Sequence, residues 1–479
     1  MQFNSIEYLI FLPTLFLLYW FVCKGRKAQN ILIVAASYFF YASWNPRCLI
    51  LIATTTLCSY ISAQLLHRYE SKKTLSRIIT ASNIILNLGI LGVFKYFNFF
   101  ADSFARLLNT FGLNVDWVTL DILLPVGISF YTFQALSYTI DVYKGKITAT
   151  KDIVAFFAYI SFFPQLVAGP IERATNLLPQ FLQPRRFDYA SAVDGMRQIL
   201  WGLAKKMLVA DNCAMAVDAI FRDYRMFDGS MLLFGAILFA FQIYGDFSGY
   251  SDIAIGSSRL FGVNLMQNFR LPYFSRDIAE FWRRWHISLT TWFRDYIYIP
   301  LGGSRGTKAM VIRNTLIVFL VSGLWHGANL TFVCWGLYHV LLFIPLLLLN
   351  RNRRYTNTVA ENRLLPTAKE VLQMLTTFLL VVFGWIIFRA ESIGKAFDYI
   401  GRIFTDFHPS MPTLGRRAIL LATLLVIAEW LQRHKQHPLQ IEHKGVFRYR
   451  AVRWALYYIL FIATILLAGS NTEFIYFQF

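Results

Sequence analysis

The stretch TLIVFLVSGLWHGA, residues 315–328, combines an uncharged apolar run with a histidine flanked by glycines. The eleven residues from Thr315 to Trp325 rise about 16 Å as a helix, roughly half the hydrocarbon thickness of a bilayer. We therefore expect His326 to lie deep in a membrane. Gly323 and Gly327 allow the backbone to unwind or another helix to approach closely. A polar side chain at that depth is costly and usually retained for use, which favours a functional His326.

The neighbouring run, residues 328–349, keeps a second position for His326 open. This run is long enough to span about 33 Å by itself, which would move His326 toward the outer face. His339 lies inside it, thirteen residues or about 20 Å of helix beyond His326. The two imidazoles can share one site only if the chain folds back, and a structural hydrogen-bonding role is the favoured interpretation for His339.

The whole composition agrees with a chain that crosses a membrane many times. Of 479 residues, 56% are hydrophobic and only 15% are charged, and the mean hydropathy is +0.47. These values exclude a soluble enzyme, a fibre and a disordered chain. The net charge of +19 comes from Lys and Arg between the apolar runs, where they orient helices, so we expect no nucleic-acid partner.

The apolar runs predict an all-α, polytopic protein with roughly twelve transmembrane helices. We read the segment 153–169, broken by Pro164 and Gly169-Pro170, as re-entrant. Both termini then face outward, and most Lys and Arg residues fall in cytoplasmic stretches such as 259–313 and 350–370. The first run is read as a retained helix and not a cleaved signal. The predicted runs are 6–22, 30–42, 49–66, 78–94, 122–141, 203–220, 231–256, 315–325, 328–349, 371–388, 418–432 and 453–469.

Two polar interruptions, about 171–200 and 259–310, carry regularly placed aromatic residues and predict amphipathic helices at the cytoplasmic interface. The second contains FWRRWHISL, residues 281–289, with His286, followed by Trp292, Arg294 and Asp295. Arginine beside tryptophan suits a phosphorylated or nucleotide-bearing ligand through charge, stacking and forked hydrogen bonds. A membrane-surface anchor explains the same composition equally well.

The remaining polar residues leave the chemistry open. Asp246 and Asp252 fit a proton relay as well as pairing with Arg or hydroxyl groups inside the bundle. His67, His408, His434, His437 and His443 are predicted to lie in solvated loops. The sequence has no serine elbow, P-loop or zinc motif, and its five cysteines share no ligand spacing, so we expect neither a bound metal nor a bound cofactor.

Several separated motifs resemble the membrane-bound O-acyltransferases, and among them the AlgI-like bacterial branch that O-acetylates polysaccharides. The resemblance covers essentially the whole chain. Its motifs are residues 268–288, Arg294-Asp295-Tyr296, Pro300-Leu301-Gly302-Gly303, Gly323-Leu324-Trp325-His326-Gly327, Pro125 to Phe130 and Phe474 to Phe479.

The resemblance implies a single domain over 1–479, a helical bundle that encloses a funnel or tunnel in the bacterial inner membrane. It also implies acetyl-CoA as donor, an exported polysaccharide hydroxyl as acceptor, and a separate extracytoplasmic partner with a Ser-His-Asp site. The family's invariant-type histidine falls on His326 and its second site residue on His286. We expect His326 to act as base and His286 to orient a substrate. The predicted donor- or substrate-binding residues are Trp282, Arg283, Arg284, Trp285, Arg294, Asp295 and Trp325.

Other functions remain open at the level of sequence. Within the family, D-alanyl transfer to a cell-wall polymer and peptidoglycan O-acetylation are alternatives. A proton-coupled transporter or flippase for a lipid-linked saccharide would use the histidines as relays, and a structural scaffold for polysaccharide export would tolerate their loss. The absence of an internal repeat weakens the transporter hypothesis.

Overall fold

The computed structural model describes residues 1–113, 125–442 and 444–475. No strand occurs in these ranges. The predicted all-α class is therefore confirmed. The helices are α1 (Ile6–Leu17), α2 (Arg26–Ala42), α3 (Leu49–Arg68), α4 (Lys73–Leu91), α5 (Phe97–Thr110), α6 (Ile128–Tyr143), α7 (Ile153–Ser161), α8 (Phe163–Leu166), α9 (Ala174–Leu182), α10 (Tyr189–Ala204), α11 (Asp211–Arg222), α12 (Gly229–Leu260), α13 (Ile278–Arg284), α14 (Ile287–Phe293), α15 (Lys308–His326), α16 (Leu330–Leu348), α17 (Ala368–Arg389), α18 (Ile393–Thr405), α19 (Arg416–Leu431) and α20 (Arg450–Leu466).

Membrane-spanning character is clear in several of these helices. Within the described ranges, six are long and apolar enough to cross a bilayer. A shorter apolar helix covers Ile6–Val22. Twelve crossings stay a prediction, and part of the predicted run 122–141 lies outside the described residues. The six are Pro46–Arg68, Lys73–Thr110, Gly229–Leu260, Lys308–His326, Leu330–Leu348 and Ala368–Arg389.

The chain divides into two compact units, the first formed by Met1–Ser191 with Ser257–Leu265. The core of this unit is α6, of which 13 of 16 residues are buried, so that helix is surrounded by protein. Helices α3 and α4 pack against α6, and α2 and α9 pack against α7. The segment 153–169 is broken as predicted: α7 has nine residues, about 14 Å, too short to cross a bilayer.

The second unit comprises Ala192–Gly256 and Met266–Phe479. Its helices α15 and α16 form an antiparallel pair whose backbones touch because glycines face them. A Cβ on Gly323 would overlap the carbonyl oxygen of Phe332, and one on Gly336 would overlap that of Phe319. The expectation of a close helix approach at Gly323 is therefore confirmed. Helix α17 packs on α16, and α13 contacts both.

The stretch 278–293 differs from the predicted surface helix. It forms two seven-residue helices, α13 and α14, and Trp282, Trp285 and Trp292 are all buried. The interfacial-anchor interpretation is thus wrong for these tryptophans, which pack against protein.

His437 is also buried, with Nε2 3.2 Å from Asp194 Oδ1, so its predicted solvated position is wrong. His443 lies outside the described residues.

Candidate active site

Helix α13 positions the candidate site through one buried carboxylate. Asp277 caps the helix by accepting a hydrogen bond from the Glu280 backbone N–H, 2.7 Å away. The Glu280 side chain is fully buried and accepts from Arg276 at 2.9 and 3.0 Å and from Arg284 at 2.8 and 3.1 Å. Charged, forked hydrogen bonds of this kind fix geometry strongly. The helix is therefore held rigidly just before the backbone turns toward His286.

His286 sits in a left-handed backbone conformation, with φ +45°, between α13 and α14. Its Nδ1 lies 3.1 Å from Asn268 Oδ1, which also accepts from the Ser288 backbone N–H at 3.3 Å and from Ser288 Oγ at 2.9 Å. A backbone N–H can only donate, so Asn268 Oδ1 is an acceptor and the proton of neutral His286 belongs on Nδ1. The lone pair of the imidazole is then on Nε2.

Burial controls the protonation of His286. The side chain is 1% exposed, and removal from water lowers its pKa to about 3. Phe247 lies edge-on to the imidazole with ring centres 4.7 Å apart, and Phe269 stacks at 6.4 Å. The imidazole is neutral at pH 7, the form that can accept a proton or orient a substrate.

His326 is the last residue of α15. This helix begins at Lys308, seven residues before the predicted run, so it rises about 28 Å and can cross a bilayer with His326 at its end. The half-length argument for the depth of His326 therefore no longer applies. The imidazole is buried, and the rings of Trp335 and Phe388 lie 5.1 and 5.3 Å from it.

Trp325 joins the two predicted catalytic histidines. Its ring centre lies 5.7 Å from that of His286 and 5.0 Å from that of His326. Two residues 40 positions apart in sequence thus contact the same indole. The structure brings His286, Trp325 and His326 together as one candidate site.

His339 enters the same neighbourhood because the α15–α16 pair folds back. Trp335 contacts both His326 and His339 at 5.1 Å, and Trp282 lies perpendicular to His339 at 5.0 Å. His339 is fully buried, and neither ring nitrogen has a hydrogen-bond partner among the described residues. A Cβ on Gly384 would lie 2.7 Å from His339 Nε2, so only glycine leaves room for this imidazole. His339 therefore fits a packing role in an aromatic wall, and the predicted structural hydrogen bond is not found among the described residues.

The predicted donor-binding residues are divided between several environments. Trp282 and Trp285 belong to the buried aromatic wall, with Trp285 5.0 Å from Trp385. Arg284 is engaged by Glu280, and Arg283 donates to backbone carbonyls of Asn352 and, at 2.7 Å, of Tyr355. Of these four residues Trp282 contacts His339, and donor binding by any of the four stays a prediction.

Arg294 and Asp295 follow α14. The Arg294 guanidinium is largely exposed and lies 2.7 Å from the Asp295 carboxylate. The indole of Trp292, one turn earlier, is buried and packs 5.0 Å from the ring of Tyr296. A role of Arg294 or Asp295 in substrate binding stays a prediction.

Asn268 is a site residue that sequence reasoning quoted only within a family motif. Besides holding His286, its Nδ2 donates to Ser251 Oγ at 3.3 Å. Asn268 also lines a small polar cavity of about 20 Å³, room for about one water, together with Tyr244, Asp252 and Glu429.

Tyr244 donates to Glu429 at 2.8 Å, and Asp252 pairs with Lys205 at 2.5 Å. Pairing of Asp252 is confirmed, although the partner is lysine and not arginine.

A second missed feature is the C-terminal strap, residues 467–475. Lys206 bridges Asp211 at 2.9 Å and Asp246 at 2.7 Å, and it donates to the Thr472 carbonyl at 3.0 Å. Thr472 Oγ1 donates to Asp211, and the Ile475 N–H donates to Asp246, each at 2.6 Å. Asp246 is therefore also paired with lysine. Residues 476–479 of the C-terminal family motif lie outside the described residues.

The strap reaches the ring that contacts His286. Phe474 is buried 4.8 Å from the ring of Tyr250 and 6.0 Å from that of Phe247. Phe247 in turn lies edge-on to His286. The strap thus packs against Phe247, the phenyl ring that contacts His286.

Metal ligands do not come together in the described part of the chain, where no three His, Cys, Asp or Glu side chains are grouped to hold an ion. The site consists of imidazole, indole and amide groups. This set can take up a proton and donate hydrogen bonds to a developing oxyanion.

A helical membrane scaffold with two buried imidazoles that contact one indole fits a membrane-bound enzyme that works through histidine. The sequence model of the membrane-bound O-acyltransferase family matches residues 146–383. The chain is 38% identical over 504 residues to a probable alginate O-acetylase AlgI of Pseudomonas putida, with 100% of both chains covered. It belongs to the membrane-bound O-acyltransferase family and is an acyltransferase.

Two further relatives extend the comparison. A peptidoglycan O-acetyltransferase of Helicobacter pylori is 34% identical over 415 residues, which cover 81% of this chain and 76% of the relative. A teichoic acid D-alanyltransferase of Bacillus subtilis is 28% identical over 287 residues, 57% of this chain and 70% of the relative. Family membership favours acyl transfer over the transporter and scaffold hypotheses.

Proposed function

We propose that this chain transfers an acetyl group from cytoplasmic acetyl-CoA, across the bacterial inner membrane, for O-acetylation of an extracytoplasmic polysaccharide. The observation that carries the proposal is the contact of both His286 and His326 with Trp325, in a chain with a full-length O-acetylase relative. Relatives that acetylate polymers are more similar in identity and coverage than the D-alanyl relative.

His326 is proposed as the base. It removes the proton of the attacking hydroxyl, a C–O bond forms at the acetyl carbonyl, and the C–S bond breaks so that the thiolate of CoA leaves and can take up the proton. His286, fixed by Asn268 and neutral, orients a substrate beside Trp325. Burial in a low-dielectric site strengthens each of these hydrogen bonds.

Several finer features belong to the same proposal. They are a single functional domain over 1–479, about twelve crossings around a funnel or tunnel, termini on the outer side, and a separate extracytoplasmic partner with a Ser-His-Asp site. The partner hypothesis follows from the resemblance to the AlgI-like branch of the family. No bound cofactor is proposed, because acetyl-CoA acts as a substrate.

Radiolabelled acetyl-CoA tests the proposal in membranes that express the chain with and without the products of its neighbouring genes. We expect label on a glycan or partner protein with wild type and a loss of at least 100-fold with His326→Ala at equal protein abundance. His434→Ala, which alters an exposed histidine, is the matched control. Transfer at the wild-type rate by His326→Ala would exclude His326 as base, and transfer only from a D-alanyl carrier would establish the alternative function.

A further inference from the structure

The connection between α16 and α17, residues 349–367, is fixed to the rest of the second unit by arginines. Arg283 donates to the carbonyls of Asn352 and Tyr355, and the Asn357 carbonyl accepts from Arg276 at 2.8 Å and Arg284 at 3.0 Å. Backbone carbonyls of a surface loop are ordinarily satisfied by water. Here three guanidinium groups replace that water along the first half of the connection.

The second half is held in the same way by Arg433. This side chain is buried and donates to the carbonyls of Val359 at 3.2 Å, Ala360 at 2.9 Å, and Arg363. Ala360 has φ +47°, a left-handed conformation that an L residue adopts only when its surroundings impose it. We call Arg276, Arg283, Arg284 and Arg433 the arginine clamp. The connection is a rigid loop, and not a flexible tether between two spans.

This rigid loop presents a second set of arginines with a different environment. Arg351, Arg353 and Arg354, the loop arginines, are exposed. Among the described residues no carboxylate pairs with any of them. They lie within four consecutive positions, 351–354, at most about 11 Å of chain. A fixed backbone with three unneutralised guanidinium groups is a preorganised site for phosphate, because guanidinium forks match phosphate oxygens.

We propose that the loop arginines bind the phosphate groups of the acyl-CoA donor, an inference that rests on the proposed acetyl-CoA function. The sequence pointed to Arg283 and Arg284 for this task, but those side chains are occupied by the loop's carbonyls. Arg283 is on α13, three residues before His286. The loop is therefore fixed to the helix that precedes His286. The phosphates bind at the loop while the flexible pantetheine arm carries the thioester inward.

Anionic lipid headgroups carry the same phosphate chemistry and are the other source to distinguish. Basic residues next to a span also orient it in the membrane without binding any ligand. A soluble nucleotide differs from a lipid because its 3′-phosphate can be removed chemically. The experiment therefore compares CoA with 3′-dephospho-CoA, which lacks only the 3′-phosphate, and with pantetheine, which lacks all the phosphates and the adenosine.

The binding experiment uses the purified full chain in nanodiscs of zwitterionic lipid and titrates CoA, 3′-dephospho-CoA and pantetheine. We expect wild type to bind CoA most tightly and the triple variant Arg351→Gln, Arg353→Gln, Arg354→Gln to bind CoA at least tenfold more weakly. Pantetheine binding should stay within twofold. The matched control neutralises three exposed cations at the start of α4, Lys72→Gln, Lys73→Gln and Arg77→Gln, and should retain wild-type CoA affinity.

Three results would overturn the inference. Equal CoA affinity of wild type and the triple variant would show that the loop does not bind the donor. A defect that appears only when phosphatidylglycerol is added to the nanodiscs would assign the loop to lipid. An equal loss for pantetheine would indicate damage to the fold. Binding of CoA is measured without any acceptor, so failure of the transfer experiment with intact CoA binding would contradict the proposed acceptor chemistry and leave the loop assignment supported.

Discussion

The arginine clamp and the loop arginines have the same side chain and opposite surroundings. Arg276, Arg284 and Arg433 are 6 to 7% exposed, and they donate to backbone carbonyls or to Glu280. The loop arginines, in contrast, are exposed. Burying a guanidinium is tolerated only when its hydrogen bonds are satisfied. The difference teaches that the number of arginines in a segment does not locate a binding site, because the surroundings decide which of them remain available.

The largest expected effect comes from breaking the clamp at Glu280. Glu280→Gln removes the carboxylate that neutralises Arg276 and Arg284 and leaves two buried cations without a counter-charge. We expect a loss of about 3–5 kcal/mol in unfolding free energy. Thermal unfolding and monodispersity in detergent report this loss of stability. The control is Glu361→Gln, which changes an exposed glutamate of the loop. Equal unfolding temperatures for the two variants would show that the clamp does not stabilise the fold.

A smaller loss of stability per pH unit is expected on acidification, because His286, like the clamp arginines Arg276, Arg284 and Arg433, is buried. Its folded pKa of about 3 lies below the ordinary value of 6.5, so the unfolded chain binds the extra proton between those values. Stability from this group is complete above pH 6.5 and falls by up to about 1.4 kcal/mol per pH unit as pH drops toward 3. Unfolding followed from pH 7 to 4 should show a shallower slope in His286→Gln than in wild type. Parallel slopes would contradict the burial of a neutral imidazole.

The smallest change in unfolding free energy is expected from substitution of an exposed loop arginine. Arg353→Gln removes a cation that contacts no carboxylate among the described residues, so the unfolding free energy should change by no more than about 0.5 kcal/mol. The same unfolding assay used for Glu280→Gln provides the measurement. A loss of several kcal/mol would mean that Arg353 is part of the clamp and would remove the distinction between the two sets.

Much of the fold and of the candidate site could be predicted from the sequence. The hydropathy identified helices and membrane character. The free-energy cost of a polar side chain in a membrane drew attention to His326, although the helix that carries it is longer than the predicted run. The position of His339 depended on whether the chain folds back, which only tertiary packing of α15 on α16 decides. The resemblance to a family, and not the spacing of residues, paired His286 with His326.

The errors have a physical cause. Tryptophan and arginine together are typical of a membrane surface, so residues 281–296 gave no compositional sign of burial. One local signal was available, because Arg276, Glu280 and Arg284 are spaced by four residues, as for ion pairs on one helical face. The strap had no such signal, since Ile475 and Asp246 are 229 residues apart.

The strap also sets an order of events during synthesis. Lys206, Asp211 and Asp246 leave the ribosome more than 200 residues before Thr472 and Ile475, whose hydrogen bonds complete their environment. Until those residues are made, the nascent chain carries two carboxylates and one ammonium group whose final set of partners is incomplete. Maturation of this part of the protein therefore waits until Thr472 and Ile475 have been made, however early its helices enter the membrane.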